Sequence, residues 1–259
     1  MQEYEAGILK TEFRGDNKYL ISLSCKDIAS KTAPGQFVQV RAGTGTDPFL
    51  RRTFSVCSAD AERGILQLLI DVVGRGTELL CCMKRGGTMN IIGSLGTGFD
   101  KHLGGDGQCI LAAGGTGAAP LLFLAETLHR SVKRPVTFMM GGHTDSAIRV
   151  IDGLISDEIT VINATDDGSS GFHGMVSALL EETLKSINPE VIYTCGPYSM
   201  MKEVARIAKY ASLPCQVSLE ERMACGIGVC LGCMVRLRDG RMVRSCVEGP
   251  VFNAFEVEW

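Results

Sequence analysis

At 259 residues the chain is long enough to bury a sizeable core, and its length favours two modest domains over one large one. Hydrophobic residues make up 45% of it and charged residues 21%, with no low-complexity or single-sign tract, which excludes a disordered polymer. A formal net charge of -3 without a basic stripe argues against nucleic acid as a main partner and leaves small anions to be bound by local loops.

The first residues, Met1-Gln2-Glu3-Tyr4-Glu5, lack the basic segment and apolar stretch of a secretory leader, so a cytoplasmic location is expected. Up to about residue 100 short β-like runs alternate with turn residues, and helical periodicity is absent. Runs at 19–23, 37–40 and 65–70 read as strands of an antiparallel barrel or sandwich, which places a first domain over 1–100. Within it, Arg51-Arg52-Thr53-Phe54-Ser55-Val56 carries the pattern R-x-x-S at the head of a strand. Arg52 there suits bidentate binding of the FAD pyrophosphate, and Ser55 suits a hydrogen bond to the flavin ring near N5. Read alone, an arginine pair is more often a solvated strand end. Leu69-Ile70-Asp71 and Gly74-Arg75-Gly76-Thr77 offer main-chain and hydroxyl contacts to the same cofactor, Gly76-Thr77 opening a helix toward its phosphates; a plain strand-to-helix turn is the alternative.

From Gln108 the rhythm changes to apolar strand, glycine turn and amphipathic helix, as in the βα units of a parallel sheet. Strands are expected at 109–113, 136–140, 159–163, 191–195 and 216–219, and helices at 120–130, 175–186 and 199–210, giving a second, α/β domain over 101–217. The uncharged run 107–125 is long enough to imitate a membrane span, but Gly114, Gly115, Gly117 and Pro120 in its middle fit a strand, a turn and a helix better, and no membrane partner is expected. In that turn, Gly114-Gly115-Thr116-Gly117 presents bare N–H groups at a helix start, which suits the phosphates of NAD. It is not the G-x-G-x-x-G fingerprint, because Pro120 stands where the third glycine would be, and a plain βα turn is the alternative. Thr194-Cys195-Gly196-Pro197 ends another strand at the ligand-binding side of an open sheet, where Cys195 suits a place beside the nicotinamide or, equally, a place in the core. Thr165-Asp166-Asp167-Gly168-Ser169 is a polar turn or a cofactor contact, and the four histidines, His102, His129, His143 and His173, show no ligand spacing.

Eleven cysteines in a chain expected to stay in a reducing compartment are not a disulfide framework. Seven are scattered, mostly in apolar sequence, and read as small buried hydrophobes. The other four cluster: Cys225, Cys230 and Cys233 form C-x4-C-x2-C, and Cys246 follows on what reads as the return strand of a short hairpin, defining a third module over 218–259. This is the three-ligand spacing of plant-type [2Fe-2S] ferredoxins, whose fourth cysteine lies further along. Gly226, Gly228 and Gly232 let the backbone curl around the sulfides and aim N–H groups at them. Zinc, the rival metal, commonly uses two C-x2-C knuckles, and one is present; unligated cysteines in a glycine-rich loop are the other alternative.

In this order, an R-x-x-S strand, a G-G-T-G-x-x-P turn, a C-G-P strand end and a terminal cysteine module resemble the ferredoxin reductase superfamily. The stretch Ser218-Leu219-Glu220-Glu221-Arg222-Met223-Ala224-Cys225-Gly226-Ile227-Gly228-Val229-Cys230, with Gly232-Cys233, Cys246 and Gly249-Pro250-Val251-Phe252, is similar to the electron-transfer subunits of NAD-linked dihydroorotate dehydrogenases. The similarity runs over essentially the whole chain. It implies an N-terminal antiparallel FAD-binding β-barrel, a parallel-sheet NAD-binding domain and a terminal [2Fe-2S] module. It further implies that a separate FMN-containing catalytic subunit oxidises dihydroorotate, in a heterotetramer of two plus two, and that this chain passes the electrons through [2Fe-2S] and FAD to NAD+ in pyrimidine biosynthesis. FAD contacts carry over to Arg52, Thr53, Phe54 and Ser55, to Leu69, Ile70 and Asp71, and to Gly76 and Thr77; cluster ligands carry over to Cys225, Cys230, Cys233 and Cys246. Many relatives have proline where Thr53 stands and Gly-Pro-Leu-Gly where this chain has Gly93-Ser94-Leu95-Gly96. Related subunits serve hydrogenases, sulfide dehydrogenases and ferredoxin-dependent transhydrogenases, and a zinc-stabilised regulator on the same scaffold is a rival of another class. With the carriers in this order, an apolar patch is expected on the surface near the cysteine loop.

Overall fold

A computed structural model describes residues 2–43 and 45–259. The alternating runs before residue 100 become six strands, β1 (Glu3–Gly15), β2 (Lys18–Ser24), β3 (Phe37–Val40), β4 (Arg52–Asp60), β5 (Ile65–Asp71) and β6 (Thr88–Leu95). They pair antiparallel and close into a barrel in the order β1-β2-β5-β4-β3-β6. Side chains alternate across the wall: Ile21, Leu23, Val56, Leu66, Leu68 and Ile70 fill the barrel, whereas Leu20, Cys57 and Leu69 belong to the core shared with the next layer. Register shifts between Ile8 and Lys10 and between Phe13 and Gly15 bend β1 around the closure. Two helices lie between barrel strands, α1 (Lys26–Ala29) and α2 (Arg75–Cys81); α2 is the helix expected to open at Gly76-Thr77, whereas α1, at 4 residues, is too short to show a helical period and was missed.

The second half builds a sheet from β7 (Cys109–Gly114), β8 (Val136–Gly142), β9 (Thr160–Thr165), β10 (Phe172–His173), β11 (Val191–Cys195) and β12 (Cys215–Ser218), all parallel. Every residue of β7 is buried, which is why the strand reads as one continuous apolar run. Helix α3 (Ala118–Thr127) packs between the sheet and barrel strand β4 and is apolar on most of its surface for that reason. Helix α4 (Asp145–Ile148) follows β8, while α5 (Val176–Thr183) and α6 (Tyr198–Tyr210) pack against each other and against the sheet. After β7 the chain moves one way to β8, β9 and β10, then returns to the other side of β7 for β11 and β12, so the order reverses between β7 and β11. Open α/β sheets bind ligands at the carboxyl ends of strands flanking such a reversal.

The last segment departs from the sequence reading in two ways. A hairpin forms from β13 (Met234–Arg236) and β14 (Met242–Arg244), but Cys246 lies in the turn beyond β14 and not on the return strand. The chain then adds β15 (Val251–Asn253) antiparallel to β12, extending the large sheet to 7 strands in the order β10-β9-β8-β7-β11-β12-β15. Val251, Phe252 and Val257 are buried there, and β15 pairs what would otherwise be an open edge of β12. A bridge between Thr97 and Pro250 fastens the same segment to the end of β6. No helix among the described residues is long and apolar enough to cross a membrane.

Candidate functional site

A cavity of about 290 Å³ opens where barrel, sheet and terminal segment meet. The barrel lines it with Arg52, Thr53, Phe54, Ser55, Leu69, Asp71 and Thr77; the α/β layer adds Thr116, Gly117 and Cys195. The terminal segment contributes Ser218, Leu219, Glu220, Glu221, Met223 and Pro250. Sequence-distant motifs therefore share one wall. Ile70 lies in the barrel core and does not line the cavity, and neither do Gly76, Gly114, Gly115, Gly196 or Pro197.

The two adjacent arginines have separate tasks. Arg51 donates from Nη2 to Glu3 Oε1 at 2.8 Å and from Nη1 to the Asn90 carbonyl at 3.1 Å, fastening β1 to β6. Arg52 turns to the cavity, its Nη1 donating to the Leu50 carbonyl at 2.5 Å, and its guanidinium lies against Gly76. The Thr77 hydroxyl accepts from the N–H groups of Val73 and Gly74 and donates to the Gly74 carbonyl at 2.8 Å, which uses its full hydrogen-bonding capacity. The hydroxyl contact expected of Thr77 is therefore replaced by a capping role, and the N–H groups of the first turn of α2 are what the segment leaves for an anion. Thr53 is also engaged: its hydroxyl accepts from Gln39 Nε2 at 3.0 Å, and the Gln39 Oε1 is buried without a protein partner.

At the reversal point the turn after β7 and the end of β11 touch. A Cβ on Gly117 would lie 2.4 Å from the Cys195 carbonyl oxygen, so only glycine lets the two segments meet. Burial pushes the Cys195 thiol up to about 12, and the Glu220 carboxylate adds to this against opposing hydrogen bonds from Ser218 and Gly196. Cys195 thus enters the cavity as a neutral thiol, unsuited to act as a base or nucleophile near neutral pH. In the folded chain it should resist iodoacetamide at neutral pH and react only on unfolding; rapid labelling of folded protein, read by mass spectrometry, would contradict this.

The cysteine loop fits a two-iron centre. Burial raises the Cys225 thiol, but hydrogen bonds from the Ile227 N–H, the Cys230 N–H and thiol, and the Val229 N–H outweigh it and bring it down to about 6. Gly226 and Gly228 adopt φ of 68° and 83°, and the third left-handed residue is Leu231, not Gly232 as the glycine pattern suggested. The Gly232 N–H donates to Cys230 Sγ at 3.4 Å. Cys246 is pushed up to about 12 by burial, then by its hydrogen bond with Cys233 and the charges of Cys233 and Cys225, against a hydrogen bond from the Gly228 N–H. Among the described residues no three His, Cys, Asp or Glu side chains are placed to share one metal ion. Cys230 is the thiol that acts on Cys225, and Cys233 the one that acts most on Cys246, so the four fall into two sets that would each supply two ligands to one iron of a [2Fe-2S] cluster. Arg244 holds the two halves of the site together: its Nη1 donates to the Gly228 carbonyl at 3.4 Å, and its Nε to both carboxylate oxygens of Glu248 at 3.1 and 3.2 Å.

Sequence reading missed the residue that joins the two halves. Phe37 lines the cavity and also packs in one buried cluster with Cys233 and Cys246, which Met223 and Leu95 flank. In sequence Phe37 is one more apolar residue of a barrel strand, and nothing local marks it. Beside the loop, Val229, Leu231 and Val247 are exposed, Val229 to 73%, which makes the expected apolar surface.

Comparison with known proteins places these features in company. Residues 220–258 match the model of the iron-sulfur cluster binding domain of dihydroorotate dehydrogenase B. The chain is 41% identical over 259 residues to the electron transfer subunit of dihydroorotate dehydrogenase B (NAD(+)) of Desulforamulus reducens, covering 99% of this chain and 98% of that protein. It is 35% identical over 246 residues to the subunit of the same name from Geobacillus kaustophilus, covering 93% of each. A chain of the NADH-dependent reduced ferredoxin-NADP oxidoreductase, studied for flavin-based electron bifurcation, superposes with a TM-score of 0.89 at 26% identity, covering 99% of this chain and 90% of that one.

Proposed function

The chain belongs to the family of electron transfer subunits of NAD(+)-linked dihydroorotate dehydrogenase B, and from that premise we propose that it carries electrons from a dihydroorotate-oxidising, FMN-containing catalytic subunit to NAD+. Bound FAD exchanges a hydride with nicotinamide and single electrons with iron-sulfur centres, so it belongs between NAD+ and a [2Fe-2S] cluster. The observation that carries the reading is Phe37, one side chain that lines the cavity and packs in the same buried cluster as two of the four cysteines.

Arg52 grips the FAD pyrophosphate with its fork of donors, and Thr53, Phe54, Ser55, Leu69 and Asp71 line the flavin seat. The turn 114–117 receives the phosphates of NAD, and the tight approach of Gly117 to Cys195 keeps the nicotinamide side of the cavity narrow. Cys225, Cys230, Cys233 and Cys246 hold the cluster, and the exposed Val229, Leu231 and Val247 meet the catalytic subunit. A division into 1–100, 101–217 and 218–259 follows these tasks, although β15 of the last part completes the sheet of the second. Assembly as two plus two in the cytoplasm completes the proposal. The agreement in fold with the ferredoxin-NADP oxidoreductase chain favours one second reading, the same relay serving another oxidoreductase.

Co-expression with the catalytic subunit tests this: the complex should co-purify and form NADH when given dihydroorotate and NAD+. Alone, the flavin- and cluster-loaded chain should reduce artificial acceptors with NADH yet leave dihydroorotate untouched. Orotate formation by the single chain, or a complex that never forms, would refute the assignment.

A further inference from the structure

A second cavity, of about 550 Å³, shares no lining residue with the first. It lies between one stripe of α6 and the end of the chain. Lys202, Arg206, Lys209 and Arg238 line it, against Glu203 as the single carboxylate side chain of the lining. Arg206 binds that carboxylate, its Nε and Nη2 donating to Glu203 Oε1 at 2.9 and 2.8 Å. Among the described residues, no ion pair engages Lys202, Lys209 or Arg238. Arg238 is held in place because its Nε donates to the Val257 carbonyl at 3.2 Å, which leaves its two terminal nitrogens for a ligand. In a chain of net charge -3, three such cations around one cavity are a local device and not a general basicity.

The remaining walls are aromatic. Tyr210 is 90% exposed, and Trp259 is fixed by its Nε1 donating to the Ala254 carbonyl at 2.8 Å. An exposed ring beside unpaired cations suits a ligand that is anionic at one end and flat and aromatic at the other. The cavity volume falls in the range of small-molecule sites.

We propose that this cavity is a nucleotide site, its phosphate held by Lys202, Lys209 and Arg238 and its base stacked on Tyr210. The site lies apart from the flavin cavity and stands or falls independently of the electron-transfer reading.

The test uses the holo-complex with NAD+ at saturation, which removes the dinucleotide site from competition. AMP, UMP and inorganic pyrophosphate are titrated by calorimetry, with the emission of Trp259, the single tryptophan, as local reporter. Each nucleotide should bind once per chain and change that emission. The double variant Lys209→Ala, Arg238→Ala should weaken all three probes by roughly tenfold or more, as expected for lost charge-assisted hydrogen bonds. Tyr210→Ala should weaken the nucleotides by roughly fivefold or more and leave pyrophosphate unchanged, the signature of one lost stack. All three residues are exposed, so the variants should fold. Absence of binding at millimolar concentration, binding unaltered by the double variant, or nucleotide affinity indifferent to Tyr210→Ala would each overturn the proposal.

Discussion

Replacing Cys230 with serine should leave a folded, flavin-containing chain whose reduced-state EPR signal has fallen to background and whose bound iron and sulfide are essentially gone. The thiol is exposed and contributes nothing to a core, so its loss costs the fold little. Its proposed work is beside Cys225: with two thiols for each iron, removing one would leave that iron a single protein ligand. A serine hydroxyl retains nearly the shape but stays protonated near neutral pH and is a poor partner for iron beside sulfide. The Gly232 N–H, which donates to Cys230 Sγ, loses a charged acceptor in the same step. Two controls separate ligation from general thiol loss. Cys82→Ser removes an exposed thiol outside the loop, and Cys57→Ser alters a thiol that burial pushes up to about 12 in the core shared by barrel and sheet. Both should keep the full signal. A Cys230→Ser chain that retained it, after anaerobic reconstitution and with iron counted chemically, would remove Cys230 from the ligand set.

The iron-sulfur module was readable because the spacing of its cysteines is a chemical requirement written in adjacent residues, and residues 220–258 match a cluster-binding domain. The strands were readable for a similar reason: the five expected around the parallel sheet fall within about two residues of their expected ends, clearest in β7 and β11, which are buried throughout and so apolar throughout, whereas the two-residue β10 went unseen. What sequence could not supply are properties of the third dimension. Nothing in Arg51-Arg52 says which guanidinium ties β1 to β6 and which meets the cavity; strand alternation separates them only once the closed barrel is known. Thr77 reads as a free hydroxyl until the turn at Val73 and Gly74 consumes it. The antiparallel β15 carries three apolar residues after a cysteine turn, too short a signal to announce that the terminal module completes the neighbouring sheet. Phe37 and the Gln39–Thr53 hydrogen bond became visible only when β3 was set beside β4, in the register Phe37 with Ser55 and Gln39 with Thr53. Thr53, where the family resemblance leads one to expect proline, then acquires a physical partner in Gln39.

Gly76→Ala should release FAD almost as readily as Arg52→Ala, although alanine adds one methyl group and touches no phosphate. A Cβ at position 76 would lie 2.4 Å from Arg52 Nε, 2.6 Å from Nη2 and 2.7 Å from Cζ. No backbone atom is among those nearest neighbours, so the helix can stay and the arginine must move. Alanine is also the better helix former, so α2 should be no less stable than before. The displaced guanidinium would forfeit the proposed bidentate grip on the pyrophosphate, a charge-assisted contact of about 1.5–3 kcal/mol, or roughly a 10- to 150-fold loss of FAD affinity. Arg52→Ala should lose a similar amount by deleting the group outright. Because both variants remove one interaction, the double variant should fall no further than Arg52→Ala alone, the behaviour of coupled and not independent positions. Flavin occupancy after dialysis, measured by absorbance on all three variants, gives the comparison, and thermal unfolding of the flavin-free chains separates a lost ligand from a lost fold. Full flavin retention by Arg52→Ala would show that the phosphate is held elsewhere. If instead Gly76→Ala alone behaved as the parent, Arg52 would have a second rotamer that reaches the phosphate around the methyl group, and its present position over Gly76 would not be the one that binds.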